Sequence, residues 1–421
     1  MARDLRLFYL FRLLATSYLY VPIFMLFQEA RGLSFFERLA LGGLYSAVVV
    51  LVEVPTGVMA DRIGRRRSMM LGAMAMVGSC LLAYRADGFV DFAVAEGLAA
   101  LSMALCSGAD SAYLFDLLAE NNAAHEYGRR ESVASAWHLI GSALAFAGGG
   151  LLAQVELGLP YLVTAGVAAS AVVVAAMLRD DRPAVRPGGR AGAGAVMMQY
   201  FGQVRSAVGQ VGRSPRMMWL VGYSAVVFVL LRATVYLYQP YLRGRGFGLV
   251  EIGLLFAGVY LVASVVAYRT HVWRRRLGDD SMLWLLLGGL AVSFLLLGWV
   301  RGPWVIALLG VQAVATGLYS PLTKPLLNQE ITDSSRRAAV LSVESMVRRA
   351  AMGVFAPLAG LYGEASVLDL CGAIGLIGLF FLALTQARRH AAAPVAGAAV
   401  PSGPAPTPAV ATAAATARSR R

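Results

Sequence analysis

The stretch Gly57-Val58-Met59-Ala60-Asp61-Arg62-Ile63-Gly64-Arg65-Arg66 stands directly between two long apolar runs. A very basic loop with only two or three residues' slack is the join expected of a hairpin between two membrane helices. Glycines serve where backbones crowd, and Arg-rich loops stay on the cytoplasmic side. The acidic Asp61, in register with Gly57 and Gly64, sets the string apart from an ordinary basic loop.

Composition extends the membrane reading to the whole chain. Of 421 residues, 58% are hydrophobic and 14% charged, and the mean hydropathy is +0.65. Soluble domains carry roughly 25% charged residues, and a water-soluble fold cannot hide this much apolar sequence. The net charge of +13 does not mark a nucleic-acid binder, because the arginines fall in gaps between apolar runs. There they act as orientation signals and contacts for anionic lipid. Lys324 is the only lysine, and Ala and Gly abound, which fits a GC-rich bacterial genome. Cys80, Cys106 and Cys371 lie in apolar runs and read as small hydrophobes rather than a disulfide framework.

Spans of about 20 residues are read near 5–27, 35–59, 68–86, 90–118, 132–154 and 159–178. They resume near 216–240, 249–271, 281–299, 303–328, 338–362 and 367–387. The expectation is an all-α polytopic membrane protein with about twelve transmembrane helices in two pseudo-symmetric six-helix bundles. The bundles are 1–178 and 216–387, joined by a cytoplasmic linker, 179–215, with an amphipathic helix around 196–211. The linker carries Arg179, Arg182, Arg186, Arg190, Arg205 and Arg213, and residues 388–421 form an Ala/Pro/Thr-rich tail read as disordered. Arg129 and Arg130, Arg274 to Arg276, Arg336 and Arg337, and Arg388 and Arg389 fall on the linker's side. The opposite gaps hold fewer, chiefly Arg31, Arg38, Arg85, Arg243, Arg245 and Arg301, so both termini are expected in the cytoplasm. Arg12 interrupts the first apolar run and no small-residue cleavage site follows, so that run is expected to be a retained span. A weak internal echo pairs Gly108-Ala-Asp-Ser111 with Gly317-Leu-Tyr-Ser320, 209 residues on.

An ionisable residue inside a span costs several kcal/mol unless paired or wet. The first half offers Arg12, about 10 Å into its helix, then Glu53, Asp110 and Asp116. Desolvation raises a buried carboxylate's pKa and fits it to carry protons. Glu53 and Asp110 are therefore the proton-coupling candidates, unless Arg12 neutralises one or Glu53 caps the helix end bent by Pro55 and Gly57. In the second half Arg232, Arg348 and Arg349 sit mid-span and Lys324 near a helix end. Glu344 precedes Arg348 by four residues, the spacing of a same-face ion pair. Arg232 either pairs with Glu344 across helices or binds an anionic group. Trp137 and His138 share one span, where the His either shuttles a proton or bonds a neighbour.

The 57–66 string resembles the loop signature of major facilitator superfamily transporters, with Met59 in place of the usual Leu. The resemblance spans roughly residues 5–387 and implies substrate bound near the midplane between two halves. It implies a gating motif of Gly57, Asp61, Arg62, Gly64, Arg65 and Arg66, with Arg65 paired to Asp116 and Asp61 facing the helix start near Ala338. An anion is favourable at a helix N-terminus. In the family helices 1, 4, 7 and 10 line the cavity, which makes Arg12, Asp110, Arg232 and Lys324 the charges best placed to meet cargo. The same helices bring Tyr18, Tyr20, Tyr113, Tyr236, Tyr238, Gln239, Gln312, Tyr319 and Asn328. The Gly-Pro-x-x-Gly-Gly element of drug/proton antiporters is absent, since Gly141 and Gly148 to Gly150 lack the proline. The helix-4 arginine common in proton-coupled members is absent too. By contrast, Glu53-x-Pro55-Thr56-Gly57 and the run 337–342 look like a bacterial subgroup that includes drug-exporting permeases.

The leading expectation is therefore a monomeric secondary transporter of a bacterial cytoplasmic membrane, exporting a small organic compound driven by protons. The alternative is a transporter of an anionic metabolite, held by Arg232 and Arg12. A membrane-embedded enzyme or sensor is the remote third. No nucleotide-binding glycine loop, metal-spaced His/Cys cluster or nucleophile–base pair stands out, so neither catalytic residue, cofactor nor metal is expected.

Overall fold

The structure, a computed structural model, describes residues 1–179, 193–331 and 337–392. Arg182, Arg186, Arg190 and Arg336, the side chains of Arg337, Ala338, Arg388 and Arg389, and the tail beyond 392 lie outside the described residues. Among the described residues every regular element is helical. The first half contains α1 (Ala2–Ala15), α2 (Phe24–Ala30), α3 (Phe35–Ile63), α4 (Arg65–Arg85), α5 (Phe89–Cys106) and α6 (Ala109–Glu120). A short 3-10 turn leads into α7 (Tyr127–Val155), and α8 (Leu159–Met177) follows. The linker helix is α9 (Ala193–Arg213). The second half contains α10 (Pro215–Gly244), α11 (Leu249–Trp299), α12 (Trp304–Glu330), α13 (Arg337–Gly360) and α14 (Gly363–Ala392).

Local chemistry sets several of these boundaries. Ser34 and Glu37 form a capping box at the start of α3, the Glu37 carboxylate accepting from the Ser34 N–H at 2.8 Å. Ser214 caps α10, with Pro215 at its first position. The hairpin read from the sequence is tighter than expected: α3 ends at Ile63, α4 begins at Arg65, and Gly64 alone turns the chain at φ 96°, a value glycine reaches without strain. Gly57 has a different role from the crowding expected of it, since a Cβ there would meet nothing within 4 Å.

Nine helical stretches among the described residues are long and apolar enough to cross a membrane. The expected dozen differs from this for three visible reasons. The first span is broken into α1 and α2, α11 merges two spans through Gly278 at φ 77°, and α13 carries Glu344, Arg348 and Arg349. The fourth span also breaks, at Ser107–Gly108, between α5 and α6. Large apolar side chains face outward: Leu51, Val90, Leu144 and Val265 are exposed by 72, 71, 66 and 63%. Water would penalise that arrangement and lipid does not.

Met1–Phe380 form one compact unit, and Phe381–Arg421 a second, of which the end of α14 is described. Within the first unit, α3 packs on α5 and α13, α7 on α11, α1 on α7 and α8, and α10 on α12 and α13. Small residues permit the crossing of α7 and α11. A Cβ on Gly150 would stand 2.6 Å from the Leu249 carbonyl and 3.0 Å from the Cα of Gly253. The internal echo of Gly108 and Gly317 has no common role. Gly108 turns a helix break at φ 84°, whereas Gly317 packs within α12 against Ala263 and Val266.

Candidate functional site

A cavity of 480 Å³ opens where α1, α5, α7 and α10 converge. Both helix breaks line it, through Thr16, Tyr18 and Tyr20 on one side and Ser107 and Gly108 on the other. Irregular backbone at membrane depth is tolerated where it lines such a space. The break between α1 and α2 is held from the other half of the chain. Gln239 on α10 donates to the Val21 carbonyl at 2.9 Å and accepts from the Met25 N–H at 2.8 Å. At the second break, Thr56 and Ser68 donate to the carbonyls of Ala104 and Leu105, at 3.3 and 2.7 Å, where α5 runs out.

Eight aromatic side chains line the cavity: Phe11, Tyr18, Tyr20, Phe24, Tyr45, Phe146, Tyr236 and Tyr260. Tyr20 stacks on Tyr161 with ring centroids 4.6 Å apart, and Phe24 meets Tyr236 edge-on at 5.3 Å. Tyr236 has room because α3 presents Gly42, where a Cβ would stand 2.6 Å from the tyrosine ring.

Four charged residues and His138 share the space with them. Arg12 pairs with Asp110, and its other amino group lies 3.7 Å from Glu131 on α7. Asp110 also accepts from the Ser111 N–H at 2.7 Å, and the Ser111 hydroxyl donates to Glu131 at 3.2 Å. So Arg12 is the residue that neutralises Asp110, and Glu131 completes the cluster. Glu96, on α5, also lines the cavity; sequence reasoning passed over it, although an acid inside an apolar run carries the same signal as Asp110. Arg232 lines the cavity too, 6.0 Å over the Tyr236 ring. Among the described residues no carboxylate pairs with Arg232, although Glu96 lines the same cavity. The pairing with Glu344 weighed for Arg232 is not formed. Glu344 lies 3.7 Å from Arg348 and accepts from Ser224 at 2.5 Å.

Several expected cavity residues have other occupations. Tyr113 is buried against Phe8, ring centroids 6.0 Å apart, and donates to the Arg179 carbonyl at 3.3 Å. Gln239 is consumed by the α1–α2 break. Gln312 accepts from Tyr238 at 2.5 Å and donates to Ser293 at 2.9 Å, inside the second half. Tyr319 bonds Ser224 at 2.8 Å, and Lys324 is exposed on α12. Each satisfies a buried polar neighbour or faces outward, so none lines the cavity. Arg12, Asp110, Tyr18, Arg232 and Tyr236 do.

The basic hairpin lies by an adjoining cleft of 450 Å³, lined by Glu53, Thr56, Gly57, Asp61 and Arg65, which shares Gly108 with the cavity. Glu53 is thus not on the central cavity, and one of its oxygens is buried without a partner. Arg65 pairs with Asp61, and Arg66 donates to the carbonyls of Ala175 and Ala176 at 3.2 and 2.6 Å, where α8 ends. Asp116 is exposed on α6.

The chain matches the family described as Major Facilitator Superfamily over residues 7–357. A search of curated proteins returned no match. Among solved structures it resembles the nucleoside transporter NupG, at 12% identity and TM-score 0.73, over 91% of this chain and 98% of that one. It also resembles a POT family transporter in complex with 5-aminolevulinic acid, at 11% identity and TM-score 0.74, over 92% and 96% of the two chains. The D-xylose-proton symporter gives 14% identity and TM-score 0.66, over 90% and 96%. Likeness at these identities is a likeness of fold.

Proposed function

This chain belongs to the Major Facilitator Superfamily, and from that premise we propose that it moves a small, ring-bearing organic compound together with a proton. It is a multi-pass membrane transporter and not an enzyme. The observation that carries the reading is one cavity of 480 Å³ holding eight aromatic side chains, Glu96 and Arg232. That volume falls in the range of about 300–1,000 Å³ typical of small-molecule sites, and aromatic faces suit a ring-bearing cargo.

Glu96 takes the coupling role in place of Glu53 and Asp110. Asp110 is already paired with Arg12, and Glu53 faces the other cleft. Protonation of Glu96 removes a carboxylate charge from the cavity that Arg232 also lines, and cargo then supplies the negative charge that Arg232 attracts. Proton and cargo favour each other's binding, which is the condition for moving both in one direction. The halves 1–178 and 216–387 rock about the cavity, with both termini in the cytoplasm of a bacterial cell and the protein acting as a monomer. Asp61, Arg65 and Asp116 latch the cytoplasmic side in the outward-facing state. The resemblance of Glu53-x-Pro55-Thr56-Gly57 to exporting permeases favours the opposite direction, proton-driven efflux.

Cellular accumulation of labelled cationic, neutral and anionic ring compounds separates the two. The expected outcome is higher accumulation with the intact protein than with Asp61→Asn, collapsed by a protonophore. Lower accumulation, equally sensitive to the protonophore, would replace symport with export. No transport of any compound, from correctly inserted protein, would overturn the cavity assignment.

A further inference from the structure

Resting on the reading that this cavity carries cargo, we infer that Arg232 and Arg349 together form a subsite for an anionic head group, a carboxylate or phosphate. The arrangement follows from three packed helices. On α10, Phe228, Arg232 and Tyr236 succeed one another at four-residue spacing and so share a face. Arg232 lies over Tyr236, and the Phe228 ring carries the Arg348 guanidinium from α13 at 5.1 Å. That face of α10 is therefore turned to the 348–349 turn of α13. On α13, Gly353 and Pro357 lie one and two turns beyond Arg349 and abut α3 at Gly43. Arg349 accordingly lies on the side of α13 turned to α3. Tyr236, on the same face of α10, packs on Gly42 of α3, so Arg232 too lies where α3, α10 and α13 meet, and Tyr45 and Arg232 line the cavity.

The charges do not cancel locally. Glu344 serves Arg348 at 3.7 Å. Among the described residues no carboxylate pairs with Arg232 or Arg349, and the Nε of Arg349 is buried without a hydrogen-bond partner. Glu53 across the α3–α13 contact is within electrostatic reach of Arg349, yet it too has a buried oxygen without a partner. Unpaired cations at membrane depth are costly and persist where they meet a ligand. Planar guanidiniums match carboxylate and phosphate oxygens in number and direction. Arg12, the other candidate for this task, is already taken by Asp110 and Glu131. The cargo would then place its ring among Tyr18, Tyr236 and Tyr260 and its acidic group at Arg232, on the side of the cavity toward α13 and Arg349.

The test is a thermal-stability titration of the purified full-length protein with 4-hydroxyphenylacetate, 4-hydroxyphenyl phosphate, 4-hydroxyphenylacetamide and tyramine. These share a ring and differ in charge. The two anions are expected to stabilise the protein, the amide and the amine not. Arg349→Gln should weaken anion binding roughly tenfold or more, as expected for losing one charge-assisted contact, while Arg349→Lys retains part of it. Glu53→Gln, which removes an internal competitor, should strengthen anion binding, a direction that a purely structural Glu53–Arg349 contact does not give. The melting temperature without ligand identifies a variant that has merely failed to fold. Equal stabilisation by the amide or the amine, lost on Tyr236→Ala, would remove the anion subsite and leave the cavity reading standing. Anion binding unchanged in folded Arg232→Gln and Arg349→Gln would also remove it. Silence from all four compounds would count against both.

Discussion

At the scale of single residues, the first half of the chain gathers Arg12, Asp110 and Glu131 into one cluster and leaves Glu96 in the cavity outside it. Arg12 and Asp110 are 16 and 13% exposed at their side chains and neutralise one another. Asp110→Asn would leave Arg12 with Glu131 alone, at 3.7 Å. Removing one member of a buried pair costs about 3 kcal/mol, so the variant should melt at a clearly lower temperature in detergent. An unchanged melting temperature would mean that the pair contributes nothing to the fold. The sequence made Arg12 and Asp110 visible as charges in apolar runs but could not join them across 98 positions. Glu96, in the run Val94-Ala95-Glu96-Gly97-Leu98, was as visible as Asp110. What lay beyond the pattern was the break at Ser107–Gly108, which lets residues on both sides of it reach one cavity.

Helices show the same division between what periodicity carries and what contacts decide. Apolar run lengths located the elements, but not the breaks in the first and fourth spans. The first break depends on Gln239, more than two hundred residues away in the chain, and local propensity holds no trace of such a partner. The contact of α7 with α11 rests on glycines whose spacing was plain and whose partners were not. A Cβ on Gly253 would stand 2.6 Å from the Phe146 carbonyl and 2.9 Å from the Cα of Gly150. Gly253→Val should therefore cost about 1–3 kcal/mol through overpacking, seen as a lower melting temperature and slower transport. Gly222→Ala on α10, where a Cβ meets nothing within 4 Å, is the matched control and should be neutral or slightly stabilising. Arg38 supplies a second test. It is 4% exposed, pairs with Glu29 and Glu364 at 2.8 Å each, and so ties α2 and α3 to the start of α14. Those carboxylates are about half exposed and can return to water, so Arg38→Met should cost only about 1–2 kcal/mol. Its larger effect should be on which end of the cavity opens, read by labelling of a cysteine placed at Ser34.

Across the whole molecule, the polar interior is uneven, and that unevenness is the functional argument. The first half pairs its one cavity arginine, Arg12, with Asp110. The second half brings Arg232 and Arg349 with no carboxylate paired to either among the described residues, and Glu96 and Arg232 line the same cavity. The hairpin at 57–66 declared the superfamily, since its glycine turn, acid and arginines are a local pattern. The cavity could not be read the same way, because its wall is drawn from most of the helices and its charges are matched only in space. The most direct test of the account is pH-gradient-driven transport by Glu96→Gln protein in sealed proteoliposomes, using a ring compound that the intact protein carries. Gradient-driven accumulation should vanish, while exchange of cargo across the membrane at equal pH persists, because the cavity and Arg232 remain. Gradient-driven accumulation equal to that of the intact protein would contradict the account.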